Sequence, residues 1–184
     1  MPRLYPFIAG SFAAIELRAS VTCSAGRLAL SFSLTGDKAA LAKLVLPPPA
    51  VPDAADGRRD HLWQSTCWEC FAADANTPGY FEINLSPDHH WNVYHFTDYR
   101  QGMSVPPLPP PSLYSWREDE LYRLDALFAR LPGLNEAANL DHWRFGLAAV
   151  LAGTDRSKGY FALVHPGTQP DFHHLDGFVF RLPP

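Results

Sequence analysis

Between Leu62 and Phe96 the chain reads LWQSTCWECFAADANTPGYFEINLSPDHHWNVYHF, and three runs within it change character at every second residue. In the first, Trp68, Cys70 and Ala72 oppose Cys67, Glu69 and Phe71. In the second, Phe81, Ile83 and Leu85 oppose Tyr80, Glu82, Asn84 and Ser86. In the third, Trp91, Val93 and His95 oppose Asn92, Tyr94 and Phe96. Strand side chains point alternately to the two faces, so a period of two marks a strand. A turn at Asn76-Thr77-Pro78-Gly79 and a bend at Ser86-Pro87-Asp88 separate the runs. The block predicts three neighbouring strands with one apolar face for a core. The other face carries aromatic rings, carboxylates and an amide.

The same period recurs elsewhere. Ile15, Leu17, Ala19 and Val21 alternate with Glu16, Arg18 and Ser20. After a turn at Ser24-Ala25-Gly26, Leu28, Leu30, Phe32 and Leu34 alternate with Ala29, Ser31 and Ser33, which predicts a hairpin. Leu41 to Leu46 reads as a short strand, and Pro47 to Asp60 as a loop. Tyr160 to His165 and Gly177 to Leu182 read as further strands, the latter closing the chain. Tyr114 to Leu131 is ambiguous. Ser115 with Glu118 resembles a capping box, and Leu121, Leu124, Leu127, Phe128 and Leu131 fall at helical spacing. Yet Tyr122, Leu124, Ala126 and Phe128 also alternate with their neighbours. Local rules favour helix there, and Trp143 to Leu151 suits either state. Many short segments between Pro- and Gly-containing loops predict an all-β sandwich or barrel, in keeping with 18 prolines.

Composition narrows the partners. A chain of 184 residues reads as one domain, 1–184. With a formal charge of −4 and only Arg58-Arg59 as an adjacent basic pair, it lacks the clustered cations of a nucleic-acid surface. It has no apolar stretch long enough to cross a bilayer as a helix, and its first residues lack the apolar core of a signal peptide. Three cysteines, an odd count, suit a reducing compartment. These features predict a cytoplasmic protein. The run Pro106 to Pro111 could serve as an SH3-type ligand, but a surface connection is the plainer reading.

Candidate chemistry concentrates in the central block. Cys67 and Cys70 form a CxxC inside a strand, where an odd offset sends the thiols to opposite faces, so they read as buried small hydrophobes. His89, His90, His95, His173 and His174, with Asp88 and Asp171, are metal-ligand types without metalloprotease spacing. Glu69 and Glu82 on adjacent strands could act as a glycosidase pair or hydrogen-bond a ligand. Trp63, Trp68, Trp91, Tyr80, Tyr94 and Tyr99 crowd the same region. Rings near strand ends, with Glu, Asn and Arg nearby, suit a flat polar ligand such as a sugar.

Four stretches, LWQSTCWECF, YFEINLSP, WNVYHFTDYRQGM and YFALVHPGTQPDFHHLDGF, together resemble the DOMON-like family of bacterial proteins, which is similar in fold to family 9 carbohydrate-binding modules. The resemblance runs from Phe7 to the C-terminus. It implies a two-sheet antiparallel β-sandwich, built like a jelly roll, and so turns Leu121–Leu131 and Arg144–Leu151 into strands. In the sugar-binding relatives a Trp just before a strand stacks on a terminal sugar, and a Glu six residues later bonds its hydroxyls. Trp63 and Glu69 match that spacing, and Glu82 and Asn84 lie on the next strand. A second Trp from a late loop completes the relatives' sandwich. Here Gln169 to His174 offers Phe172 and His173 instead.

The resulting expectation is a non-catalytic domain for a sugar or sugar-like metabolite. Trp63, with Trp91 or Phe172, would stack; Glu69, Glu82, Asn84 and Arg100 would hydrogen-bond, with His173 at hand. The plainer alternative pairs Glu69 with Arg100 as an internal ion pair and uses Trp63 as a plug. Haem-binding members of the wider superfamily use Met with His or Lys; Met103, the one internal Met, would have to serve, and no clear pair is legible. Structural Ca²⁺ occurs in the sugar-binding relatives, but no compact acidic loop here calls for it. The sequence does not set the oligomeric state.

Overall fold

The turn between Ser24 and Arg27 shows how local sequence starts this fold. Ala25 and Gly26 both take positive φ, 48° and 71°, the two-residue geometry that matches the twist of a hairpin. It joins strand β2 (Glu16–Ser24) to β3 (Arg27–Thr35), paired antiparallel along their whole length. Leu17, Ala19, Val21, Leu28, Leu30, Phe32 and Leu34 are buried, as their alternation requires.

The computed structural model describes residues 1–10, 12–49, 56–134 and 140–182, and ten strands run through them. The others are β1 (Arg3–Pro6), β4 (Cys67–Asp74), β5 (Tyr80–Leu85), β6 (Trp91–Phe96), β7 (Ser112–Arg117), β8 (Leu121–Phe128), β9 (Trp143–Ala152) and β10 (Lys158–Ala162). The expected two separate sheets are replaced by one hydrogen-bonded sheet, in the order β6-β5-β4-β9-β10-β1-β2-β3-β8-β7. The joining strand is β1: Tyr5 and Pro6 pair with β10, while Arg3 and Leu4 pair with β2.

The sheet curls so that its two halves face each other across one core. Trp68 of β4 stacks on Tyr122 of β8 at 5.3 Å between ring centroids, and Trp91 of β6 meets Phe128 of β8 edge-on at 6.0 Å. Around them pack Phe32, Ile83, Leu85, Val93, Leu124, Phe145 and Leu147.

Four local expectations change. Residues 121–128 are strand, not helix, because β3 offers an open edge that pairs with β8 from Leu28↔Phe128 to Thr35↔Leu121. That ladder satisfies the backbone and buries Tyr122, Leu124, Ala126 and Phe128, while Leu127 stays exposed. Ser115, read as a helix cap, sits inside β7. Leu41 belongs to a short helix, α1 (Lys38–Ala42), started by the Asp37 carboxylate accepting from the Ala40 N–H at 2.7 Å. Gly177–Leu182 is not a strand; only Phe180 bridges to Phe145, after a 3-10 turn at Leu175–Gly177.

The loop before the site is fixed by Arg58. Its guanidinium donates to Asn92 Oδ1 (2.9 Å) and to the Pro106 and Leu108 carbonyls (3.1 Å each). It also lies 4.0 Å over the Trp91 ring. Part of the proline-rich connection is thereby held against β6, with Leu108 buried beneath it.

Candidate functional site

Cross-strand register assembles the decorated face. Asn92, Asn84, Glu69, Ala148 and Ala162 line up as one row across β6, β5, β4, β9 and β10. The adjacent row is Tyr94, Glu82, Phe71 and Gly146. Side chains of both rows point away from the main core. Gly146 leaves room that the Phe178 ring fills, as part of a second apolar cluster of Phe71, Tyr80, Tyr94, Phe96 and Phe178. A cavity of about 420 Å³ remains.

Six of the expected residues line that cavity: Trp63, Glu69, Glu82, Arg100, Phe172 and His173. Asn84 does not. It is fully buried behind Glu82, donating to Glu82 Oε1 at 2.7 Å while its carbonyl oxygen faces the Cys67 thiol at 3.6 Å. Trp91 does not either. It shares parity with Val93, is 1 % exposed in the main core, and donates its indole N–H to the Asp56 carbonyl at 2.7 Å. The stacking role expected of it is therefore corrected to a structural one.

Trp63 stands on a single 3-10 turn, Leu62–Gln64, entered through His61 in left-handed geometry at φ 62°. Leu62 is buried and anchors the turn. The half-buried indole meets the rings of His61 (5.1 Å) and Tyr94 (5.9 Å) edge-on. Tyr94 is itself fixed, its hydroxyl donating to Asp60 Oδ1 at 2.7 Å.

The carboxylates are the unusual element. Glu69 is 4 % and Glu82 5 % exposed. They lie on adjacent strands of the same face, one register step apart. Burial, then the Glu82 charge, pushes Glu69 well above the usual carboxylate range, and the Arg100 charge only partly offsets this. Burial raises Glu82 too, against the Asn84 hydrogen bond and Arg100. Two neighbouring buried carboxyls cannot both ionise cheaply, so the pair favours holding a proton. Glu69 Oε1 has no hydrogen-bond partner among the described residues, a costly state for a buried polar atom.

The Glu69–Arg100 ion pair of the plainer alternative is not formed. The Arg100 guanidinium instead donates to Asp171 Oδ1 at 2.8 Å, and the Tyr99 hydroxyl donates to Asp171 Oδ2 at 2.6 Å. The Arg100 backbone N–H donates to the Tyr80 hydroxyl at 3.1 Å. His173 shares a hydrogen bond with that same hydroxyl through Nδ1 at 2.7 Å, and its Nε2 lies 3.6 Å from Glu82 Oε2. Packed against Phe71, Tyr80 and Phe96, His173 is desolvated, and its pKa falls to about 4. It is neutral near pH 7.

A solved structure shares this architecture. One similar chain is a candidate carbohydrate-binding protein from Bacteroides uniformis ATCC 8492, with a TM-score of 0.61 at 10% identity, covering 90% of this chain and 77% of that one. A family 9 carbohydrate-binding module from Caldicellulosiruptor kristjanssonii, solved in complex with glucose, aligns with a TM-score of 0.44 at 12% identity over 83% of this chain and 69% of that one. At such identities the first likeness speaks for the fold alone. No family model and no curated protein sequence matches the chain.

Several cavity residues were not singled out from sequence: Gln64, Phe96, Val150, Lys158, Tyr160 and Pro170. Parity could have found Phe96, which alternates in step with Asn92 and Tyr94. Tyr160 enters because it pairs with Val150, which pairs with Cys67, and no local pattern carries that. Among the described residues no group of three or more His, Cys, Asp or Glu is placed to hold a metal ion.

Proposed function

We propose that this chain is a non-catalytic binding domain for a small sugar or sugar-like metabolite, of the DOMON-like type, and that the Trp63–Glu69 cavity is its site. The observation that carries this reading is Glu69, a buried carboxyl that helps line a cavity walled by Trp63 and whose Oε1 has no hydrogen-bond partner among the described residues. A pyranose supplies what each lacks: an apolar C–H face for the indole and a hydroxyl for the carboxyl. Phe172 takes the part of a second aromatic wall. Asn84 positions Glu82, and the Arg100–Asp171 bond positions the wall that carries Phe172 and His173.

A hydrolytic role is less well supported. Glu69 and Glu82 are diagonal neighbours on one face of two adjacent strands, whereas a glycosidase pair flanks the scissile bond. A haem fits poorly too. Met103 and His173 line the same cavity, but Nδ1 of His173 is engaged by Tyr80 and Nε2 lies within ion-pair distance of Glu82. The experiment is a tryptophan-fluorescence titration against mono- and disaccharides. Saturable quenching that disappears in Trp63→Ala, with the variant still folded, is expected. A flat response to every sugar would overturn the reading, and a Soret band after haem addition would replace it.

A further inference from the structure

The carboxyl pair leaves a cation's place beside the sugar's. Glu82 is partly satisfied, accepting from Asn84 at 2.7 Å, but Glu69 Oε1 is not. No cation hydrogen-bonds Glu69 among the described residues. The strands around the pair present Cys67, Tyr80, Tyr94 and Lys158; the two loops present Arg100, Asp171 and His173. Arg100 is engaged with Asp171, His173 is neutral near pH 7, and Lys158 is exposed. Two carboxyls in one buried site, facing aromatic walls, are the complement of a protonated amine. It can bridge both oxygens in charge-assisted hydrogen bonds and lie against the rings of Trp63 and Tyr94.

We propose that the preferred ligand of this cavity is an amino sugar, its ammonium group seated between the Glu69 and Glu82 carboxyls and its ring against Trp63. This rests on the sugar-binding reading above and narrows its ligand class. The proton balance is simple. The free pair holds a proton, the ligand arrives as an ammonium ion, both carboxylates are ionised in the complex, and the displaced proton passes to the buffer. Affinity therefore rises with pH through the range in which the pair titrates, until the amine itself loses its proton. A neutral sugar releases no proton, since a protonated carboxyl can donate to a hydroxyl as it stands.

Isothermal titration calorimetry on the intact chain tests this, with glucosamine, galactosamine and mannosamine against their parent hexoses and N-acetyl derivatives. It is run in two buffers of different ionisation heat. The expected result is an amino sugar bound on the order of ten-fold or more tightly than both neutral counterparts, with release of up to about one proton per site. Glu69→Gln should collapse that preference; should it fail to fold, Glu82→Gln provides the same comparison. Equal or weaker binding of every amino sugar overturns the inference while leaving the sugar reading intact. A preference that survives in the folded Gln variant also overturns it. Binding of no sugar of any kind overturns both.

Discussion

The Arg100 guanidinium donates to Asp171 at 2.8 Å, tying together two loops that lie 71 residues apart in the sequence. Asp171 also accepts from the Tyr99 hydroxyl at 2.6 Å and the His173 backbone N–H at 3.1 Å. One carboxylate thus holds the wall that presents Arg100, Phe172 and His173 to the cavity. Arg100 adopts φ 53°, a left-handed conformation that a non-glycine residue keeps only when its surroundings hold it.

Asp171→Ala should therefore loosen the site more than the fold. The pair is partly exposed, and solvent screens it, so a loss of about 1 kcal/mol is expected in urea unfolding. Sugar affinity should fall further, by on the order of ten-fold, since the wall loses its fixed geometry. Burial raises the Asp171 pKa, but the bonds from Tyr99 and Arg100 outweigh it and hold it below the usual range. Its contribution is full above the unfolded value of about 3.9 and is lost only as pH falls through the folded one. Between pH 6 and 8 that contribution should not vary.

His173 and Glu69 should give the pH dependence of stability two opposing parts. The His173 pKa falls from 6.5 to about 4 on folding, so between those values the unfolded chain binds the extra proton and stability drops as pH falls. The full effect is on the order of 3 kcal/mol. Glu69 is raised, so its favourable contribution is full below about pH 4.3 and is lost as pH rises through the folded value. His173→Gln should flatten the acid side of a Tm-against-pH curve, and Glu69→Gln should raise Tm at pH 7–8. A Glu69→Gln variant that loses stability at pH 8 would show that its carboxylate is satisfied.

Arg58 is expected to matter for stability. Arg58→Ala removes donors to Asn92 and to two backbone carbonyls and uncovers the Trp91 ring. A loss of about 2–4 kcal/mol in chemical denaturation follows. Arg58→Lys should recover less than half, because an ammonium group cannot reach all three acceptors in one plane. Full recovery by Lys would reduce the role of Arg58 to its charge.

The sequence carried the parity of β4, β5 and β6, and with it the placement of Glu69 and Glu82 on one face of adjacent strands. Parity also held the answer for Trp91, which alternates in step with Val93 and so belongs to the core. Proximity to a strand end drew it toward the ligand instead. Helical spacing at Leu121–Leu131 misled because local periodicity is blind to β3, whose Thr35 pairs with Leu121 and Leu28 with Phe128, far outside any local window. The single continuous sheet was illegible for a similar reason: β1 has only four residues, too few for alternation, yet it joins both halves. Arg100 was read as a ligand contact or, in the alternative, a partner of Glu69, and nothing in the local sequence shows that Asp171 engages it.

The most direct test of the central claim is a crystal structure of the chain with the tightest-binding sugar of the titration series. The account predicts a sugar ring stacked on Trp63, with one polar group within hydrogen-bond distance of Glu69 Oε1 and no rearrangement of the Arg100–Asp171 bond. A sugar bound elsewhere on the surface, or a cavity still free of sugar at saturating concentration, would contradict it.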